Sequence, residues 1–374
     1  MTTRRALDQR LCVAGPSAEN GIPRTMQNSS VLDSLRAVAV ILVLLDHLVE
    51  TIGAASSPIS IRIAWQLGRL GIILFFVHTT YVLMMSMQRR GFTGSTLVKD
   101  FYVRRWFRIY PLSLATIATV ILVGVPRTPW SGLHPELTLA TVLSNVLLVQ
   151  DLTHAEDLLG PMWSLSPEVL MYLALPFLFL IVRARPLWST VAALWICAVI
   201  VAVVVGTDLS VGYFAPCFMS GVVAFWVRER PGGSRWPFWA WALALSSIIA
   251  LYLGIGSLSE EVNVGAVGSG CCLLMGVLLP GFAETDNRAV RLTSHVVAKY
   301  SYGIYLGHMI ALWLAFSVLS EWSPVARWGV FAAAMVILPY AGYHLIEGPM
   351  IQIGNKVAGF VTRPRLSAFL PEVS

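Results

Sequence analysis

An arginine and a histidine, Arg36 and His47, lie eleven residues apart in a stretch from Asp33 to His47 whose other interior residues are apolar or small apart from Ser34 and Asp46. Ionisable groups inside a spanning helix are costly, so they mark functional sites or contacts between helices. At about 100° per residue the second returns to within about 20° of the first after three turns, so both share one face, about 16 Å apart along the axis. This puts a cationic anchor near one membrane surface and an imidazole well into the bilayer. The arrangement suits an enzyme that grips a long anionic cofactor by its head while its far end reacts at depth. A flanking charge plus a core histidine satisfied by a neighbouring helix fits the same spacing.

Four further clusters carry polar groups. In FYVRRWFRIYP, residues 101–111, Arg104 and Arg108 are four apart and Arg105 and Arg108 three apart, so they crowd one side of a helix entering the third apolar run. Guanidinium forks at a helix N-terminus make a phosphate receptor; ordinary cytoplasmic charge meeting lipid headgroups is the other reading. In WSLSPEVLMYLALP, residues 163–176, Ser166 reads as an N-cap, Pro167 suits the first helical position and Glu168 complements the helix dipole. Glu168 either caps this helix or orients the acceptor or the histidine, with Tyr172 on its face. Ser301, Tyr305 and His308 of SYGIYLGH form one polar stripe at i, i+4 and i+7, lining a cavity or knitting helices together. In HLIEGP, His344 and Glu347 precede Gly348 and Pro349, which read as a helix terminator. His78 reads as a packed or pore-lining residue, Gly68 and Gly71 as close helix contacts. No phosphate-cradling glycine loop, nucleophile elbow or zinc spacing appears, so no metal site is expected. The five cysteines (Cys12, Cys197, Cys217, Cys271, Cys272) show no disulfide framework and read as core residues.

The elements that position these groups are apolar. Of 374 residues 56% are hydrophobic and 12% charged, against about 25% charged in an average soluble domain, and the mean hydropathy is +0.72. The net charge of +6 is not clustered on a soluble domain and no base-reading motif accompanies it, which excludes nucleic acid as a partner. Ten runs are long enough to span, or nearly so: 32–50, 67–87, 109–125, 166–183, 188–206, 211–227, 237–256, 263–283, 301–319 and 327–347. A shorter stretch, Thr141 to Val149, suits a re-entrant or half-inserted helix. With the N-terminus inside, the cytoplasmic connections receive most of the arginines and lysines, and the outer ones only Arg62, Arg127 and Arg327. The expected fold is an all-α polytopic membrane protein of about ten transmembrane helices with both termini cytoplasmic, set in the plasma membrane. Residues 1–30 read as a flexible cytoplasmic tail without the apolar region of a signal peptide, residues 31–354 as one transmembrane domain, and 355–374 as a cytoplasmic tail.

With these residues in view, the chain resembles the acyltransferase family 3 integral membrane proteins, which move acyl groups, commonly acetyl, onto hydroxyls of carbohydrates and other acceptors. Five elements occur in family order: LDSLR with ten residues between Arg36 and His47, FYVRRWFRIYP, WSLSPE, SYGIYLGH and IEGP. The resemblance implies about ten spans and a cytoplasmic opening for an acyl-CoA donor, a co-substrate and not a tightly bound cofactor. It makes His47 the catalytic residue and Arg36, Arg105 and Arg108 the donor-binding arginines. By motif position it adds Glu168, Tyr305 and His308 to the catalytic set. In GIILFFVHTTY, Ile73 replaces the family's aspartate and Thr79 and Thr80 its Ser-Gly pair; Val169 replaces a common second glutamate. His47 is then a general base or a transient acyl carrier, oriented by a group from another span because Asp46 lies about 100° round the helix. Tyr305, Ser301 or His308 is expected to supply the oxyanion donor. A transporter or flippase using the same charges, and a non-catalytic relative, are the alternative functions; the inverted repeats expected of the former are not seen.

Overall fold

The computed structural model describes residues 29–53, 58–230, 235–258 and 264–362. Residues 1–28 of the predicted N-terminal tail, Cys12 among them, and the last twelve residues of the predicted C-terminal tail lie outside them, while Ser29 and Ser30, assigned to the tail, cap and open the first helix. Among the described residues the chain is all-helical, without strands. Its helices are α1 (Ser30–Ile52), α2 (Pro58–Arg90), α3 (Gly94–Val123), α4 (Leu139–Leu147), α5 (Gln150–Thr153), α6 (Leu165–Ala184), α7 (Trp188–Val205), α8 (Ser210–Tyr213), α9 (Ala215–Arg228), α10 (Phe238–Leu258), α11 (Val264–Leu278), α12 (Arg288–Leu312), α13 (Pro324–Ala341) and α14 (Gly348–Val361).

Among the described residues, seven helical stretches are long and apolar enough to cross a membrane: α2, α3, α6 with the 3₁₀ turn before it, α7, α10, α12 with its π-helical continuation to Val318, and the run from Pro324 to Val361. The other three predicted spans fall on helices too. α1 has 23 residues but carries Asp33, Arg36, Asp46 and Glu50, while α9 and α11 have 14 and 15 residues. Bare apolar side chains such as Leu122, Val203, Val204 and Phe360 cover the rim, as expected of a surface facing lipid. α2 is the hub, with 78% of its apolar window buried against 11% for α7.

α1 packs chiefly between α2 and α12, and its first turn is pinned. Ser29 caps it, accepting from Leu32 N at 3.3 Å. The Glu284 carboxylate accepts from Ser29 Oγ at 2.7 Å and from Ser30 N and Oγ at 2.6 and 2.7 Å, a negative group at a helix N-terminus. Gly71 lets α1 and α2 touch, since a Cβ there would stand 2.5 Å from the Ala39 carbonyl oxygen.

Three local expectations change. The helix carrying Arg105 and Arg108 begins at Gly94, so these arginines lie in mid-helix and draw nothing from a helix N-terminus. Ser166 does not cap α6, which follows directly from a 3₁₀ turn, Gly160–Ser164; its hydroxyl accepts from Asp151 N at 3.2 Å instead. The HLIEGP segment does not end the last helix, because a π-helical turn, Gly342–Glu347, leads through Gly348 and Pro349 into α14. Helix therefore continues through residues 355–361, which the sequence assigns to the tail.

Candidate active site

α1 presents Arg36 and His47 along one line, and neighbouring helices bring partners to each. Arg36 Nε donates to Ser301 Oγ at 2.6 Å, and its guanidinium lies 5.3 Å from the Phe75 ring centre. Ser301 donates onward to the Ala298 carbonyl at 2.8 Å. From α3, Arg105 lines the same cavity as Tyr172, whose hydroxyl donates to Glu168. Arg108 pairs with Glu347 of the π-helical turn. Arg104 is engaged elsewhere, by Asp100 at 2.9 Å and by Asn355, so two arginines of the motif face the interior and the third ties helices together.

Three cavities follow α1. The widest opens among Asp33, Arg36, Arg89, Arg108, His295 and Lys299. A second, much narrower, shares Arg36, His78 and Arg108 with it and adds Arg105, Glu168 and Tyr172. The third, narrower still, shares Phe75, Glu168 and Tyr302 with the second and is otherwise lined mainly by apolar groups, reaching Val43, Ser164 and Tyr305. Val43 is one helical turn before His47. The basic mouth thus leads by shared walls to the neighbourhood of the imidazole.

His47 Nδ1 lies 2.9 Å from His308 Nε2. His308 Nδ1 in turn sits 2.7 Å from the Tyr305 carbonyl oxygen, which can only accept, so Nδ1 of His308 carries the proton and its Nε2 accepts. His47 Nδ1 is then the donor in the pair, which leaves the in-plane lone pair of His47 Nε2 free to take a proton. His308 of α12 thus meets His47 from another helix, where an orienting group is expected. Trp130, from the loop after α3, stacks on His47 at 5.8 Å between ring centres. Asp46 is buried against Gly68 of α2, on a different face of α1 from its neighbour His47.

The predicted residues therefore divide into two groups. His47 and His308 meet, with Tyr305 beside them at 6.0 Å between its ring centre and that of His308. Glu168 instead faces Arg36, Arg105 and Arg108, which are its charged neighbours. The three expected oxyanion donors have their hydrogens committed: Ser301 to Ala298 O, Tyr305 to the Pro161 carbonyl at 2.7 Å, and His308 to Tyr305 O. Sequence reasoning missed the Arg108–Glu347 pair, since Gly-Pro after Glu347 looked like a stop, and it missed Trp130, an aromatic in a loop without a motif. His78 is 4% exposed, borders both polar cavities and has no hydrogen-bond partner for Nδ1, in line with a pore-lining residue.

Beyond the helices, Asp157 meets Arg127 at 3.4 Å. Burial pushes its carboxyl up to about 6, against the opposing pull of Arg127.

A family model described as an acyltransferase domain matches residues 30–344. The chain is 24% identical to a protein named Acyltransferase MdmB from Streptomyces mycarofaciens, over 91% of this chain and 96% of that one. No solved structure matches it significantly. Since the matched stretch runs from the first residue of α1 into the π-helical turn, stopping three residues short of Glu347, and takes in Arg36, Arg105, Arg108 and the histidine pair, the chain belongs to this acyltransferase family and is a membrane acyltransferase.

Proposed function

We propose that the enzyme transfers an acyl group, acetyl in the simplest case, from acyl-CoA to a hydroxyl of a carbohydrate or secondary-metabolite acceptor. The donor's phosphates bind at the basic mouth and against Arg36, Arg105 and Arg108, where forked guanidinium groups suit phosphate oxygens. The pantetheine arm follows the more apolar third cavity along α1 and presents the thioester next to His47. His47 Nε2 takes the acceptor's hydroxyl proton as that oxygen attacks the thioester carbon. The carbon–sulfur bond breaks, and the same proton passes to the departing thiolate, so ester and free CoA are the products. Glu168 acts on the donor side, steadying Tyr172 and the arginines, while Tyr305 walls the passage beside His308.

The matching topology has ten spans, α1, α9 and α11 included, with both termini cytoplasmic in the plasma membrane. The excess of basic residues in alternate connections supports it. It gives the donor the cytoplasmic mouth and places His47 near the outer end of α1.

The observation that carries this reading is the succession of three cavities from the arginines to the turn of α1 before His47. The test uses purified enzyme, acetyl-CoA and an extract of host glycans and metabolites, following thiol release and mass gain on hydroxyls. His47→Ala is expected to lower turnover by at least about 10²-fold, the scale of a positioned general base, while the protein stays folded and at normal abundance. Retained turnover would remove His47 from the chemistry.

A further inference from the structure

Trp130 sits at the tip of a turn that the fold holds from three sides. Within the turn, Arg127 N donates to Leu133 O at 2.9 Å, and Gly160 N, leading into α6, donates to Arg127 O at 2.8 Å. The Arg127 side chain reaches Asp157, and Ser317 of the π-helical stretch after α12 donates to Pro129 O at 3.2 Å. These contacts fix an indole that remains 39% exposed, nearly parallel to the His47 ring at 20°. His308 holds the Nδ1 edge of that ring and Trp130 covers one face. A hydroxyl must therefore arrive in the ring plane, at Nε2, with the rest of its molecule alongside the indole. The π face of an indole is negative and attracts the positive C–H edge of a saturated ring.

Building on the acyl-transfer reading, we propose that Trp130 is the acceptor platform: it selects ring-bearing alcohols, whose C–H face lies on the indole while one ring hydroxyl reaches His47 Nε2. A tryptophan that served only as an interfacial anchor would have no influence on which alcohol is acylated.

Purified enzyme is given acetyl-CoA with methyl β-glucoside or open-chain sorbitol, and separately with cyclohexanol or 1-hexanol, and ester yields are compared within each pair. The wild type is expected to favour the ring alcohol. Trp130→Ala should reduce the ring-to-open-chain ratio by about tenfold, the size of a lost aromatic contact, mainly through a higher KM for the ring alcohol. Trp130→Phe, which keeps a smaller π face, should fall between the two. A ratio unchanged in both variants, or a wild-type ratio near one, would overturn the platform while leaving acyl transfer standing. Failure of the wild type to release CoA with every alcohol and with water would instead sink the acyl-transfer reading, and the platform with it.

Discussion

At the scale of single residues, the proposed chemistry depends on which nitrogen of His47 is bare. The relay from His47 Nδ1 through His308 to the Tyr305 carbonyl fixes that choice, so the proposal makes His308 a positioning residue. His308→Ala should lower kcat by about 10²-fold with little change in KM for acyl-CoA, measured by thiol release. A rise in donor KM with kcat preserved would move His308 to the binding side. The arginines obey a different logic. Glu347 is 1% exposed and pairs with Arg108, and removing one partner of a buried pair leaves an uncompensated charge. Glu347→Ala should therefore destabilise the fold by about 3–5 kcal/mol, visible as a lower Tm. The double variant Glu347→Leu with Arg108→Met should recover most of that stability and still bind donor poorly. Equal Tm for Glu347→Ala and wild type would show that the pair does not support the fold.

At the scale of elements, the line from Arg36 to His47 is straight because α1 lies close against α2. Gly71→Ala would drive a methyl group into the Ala39 backbone, where no side chain can yield, and should destabilise by about 1–3 kcal/mol with a clear loss of turnover. Gly329→Ala, in α13 with open space round it, should leave activity intact and add helix propensity of about 1 kcal/mol. Thermal unfolding and thiol release on both variants check the contrast. The described parts of the ten apolar runs lie largely in helices, seven of them in stretches long and apolar enough to cross a membrane, because hydropathy is displayed directly in the sequence. The early start of α3 was hidden because residues 94–108 are amphipathic and charged, so only their continuation past Arg108 looked like a span. The continuation through Pro349 was hidden because a π-helical turn shifts the hydrogen-bond register, and no composition signal announces one. The meeting of His47 with His308 joins residues 261 apart; the stripe on α12 was legible, but not what it faces. Trp130 was illegible for the same reason, since loop placement is decided by tertiary contacts.

At the scale of the whole molecule, two ends with different chemistry must be kept apart: a basic mouth, and a loop-covered end where Trp130 meets His47. The loop end carries its own proton dependence. Because the Asp157 carboxyl is raised from 3.8 to about 6 by burial, the closed loop holds a proton that the open one releases. Closure is thus favoured at low pH and weakens as pH rises from about 4 to about 6, with no further change above. Hydrogen exchange at Leu158 N and Gly160 N, corrected for intrinsic rates, should show opening grow easier over that window, and Asp157→Asn should flatten the trend. Separation of the two ends makes a demand on topology. With ten spans, Ser131 and Glu321 face outward, and Lys99 and Lys356 face the cytoplasm. Cysteines placed singly at these positions and probed with a membrane-impermeant maleimide should react in intact cells at 131 and 321, and only after permeabilisation at 99 and 356. Labelling of position 356 from outside would make the number of crossings odd and detach the last helix, with Glu347 and its hold on Arg108, from the donor's side of the membrane.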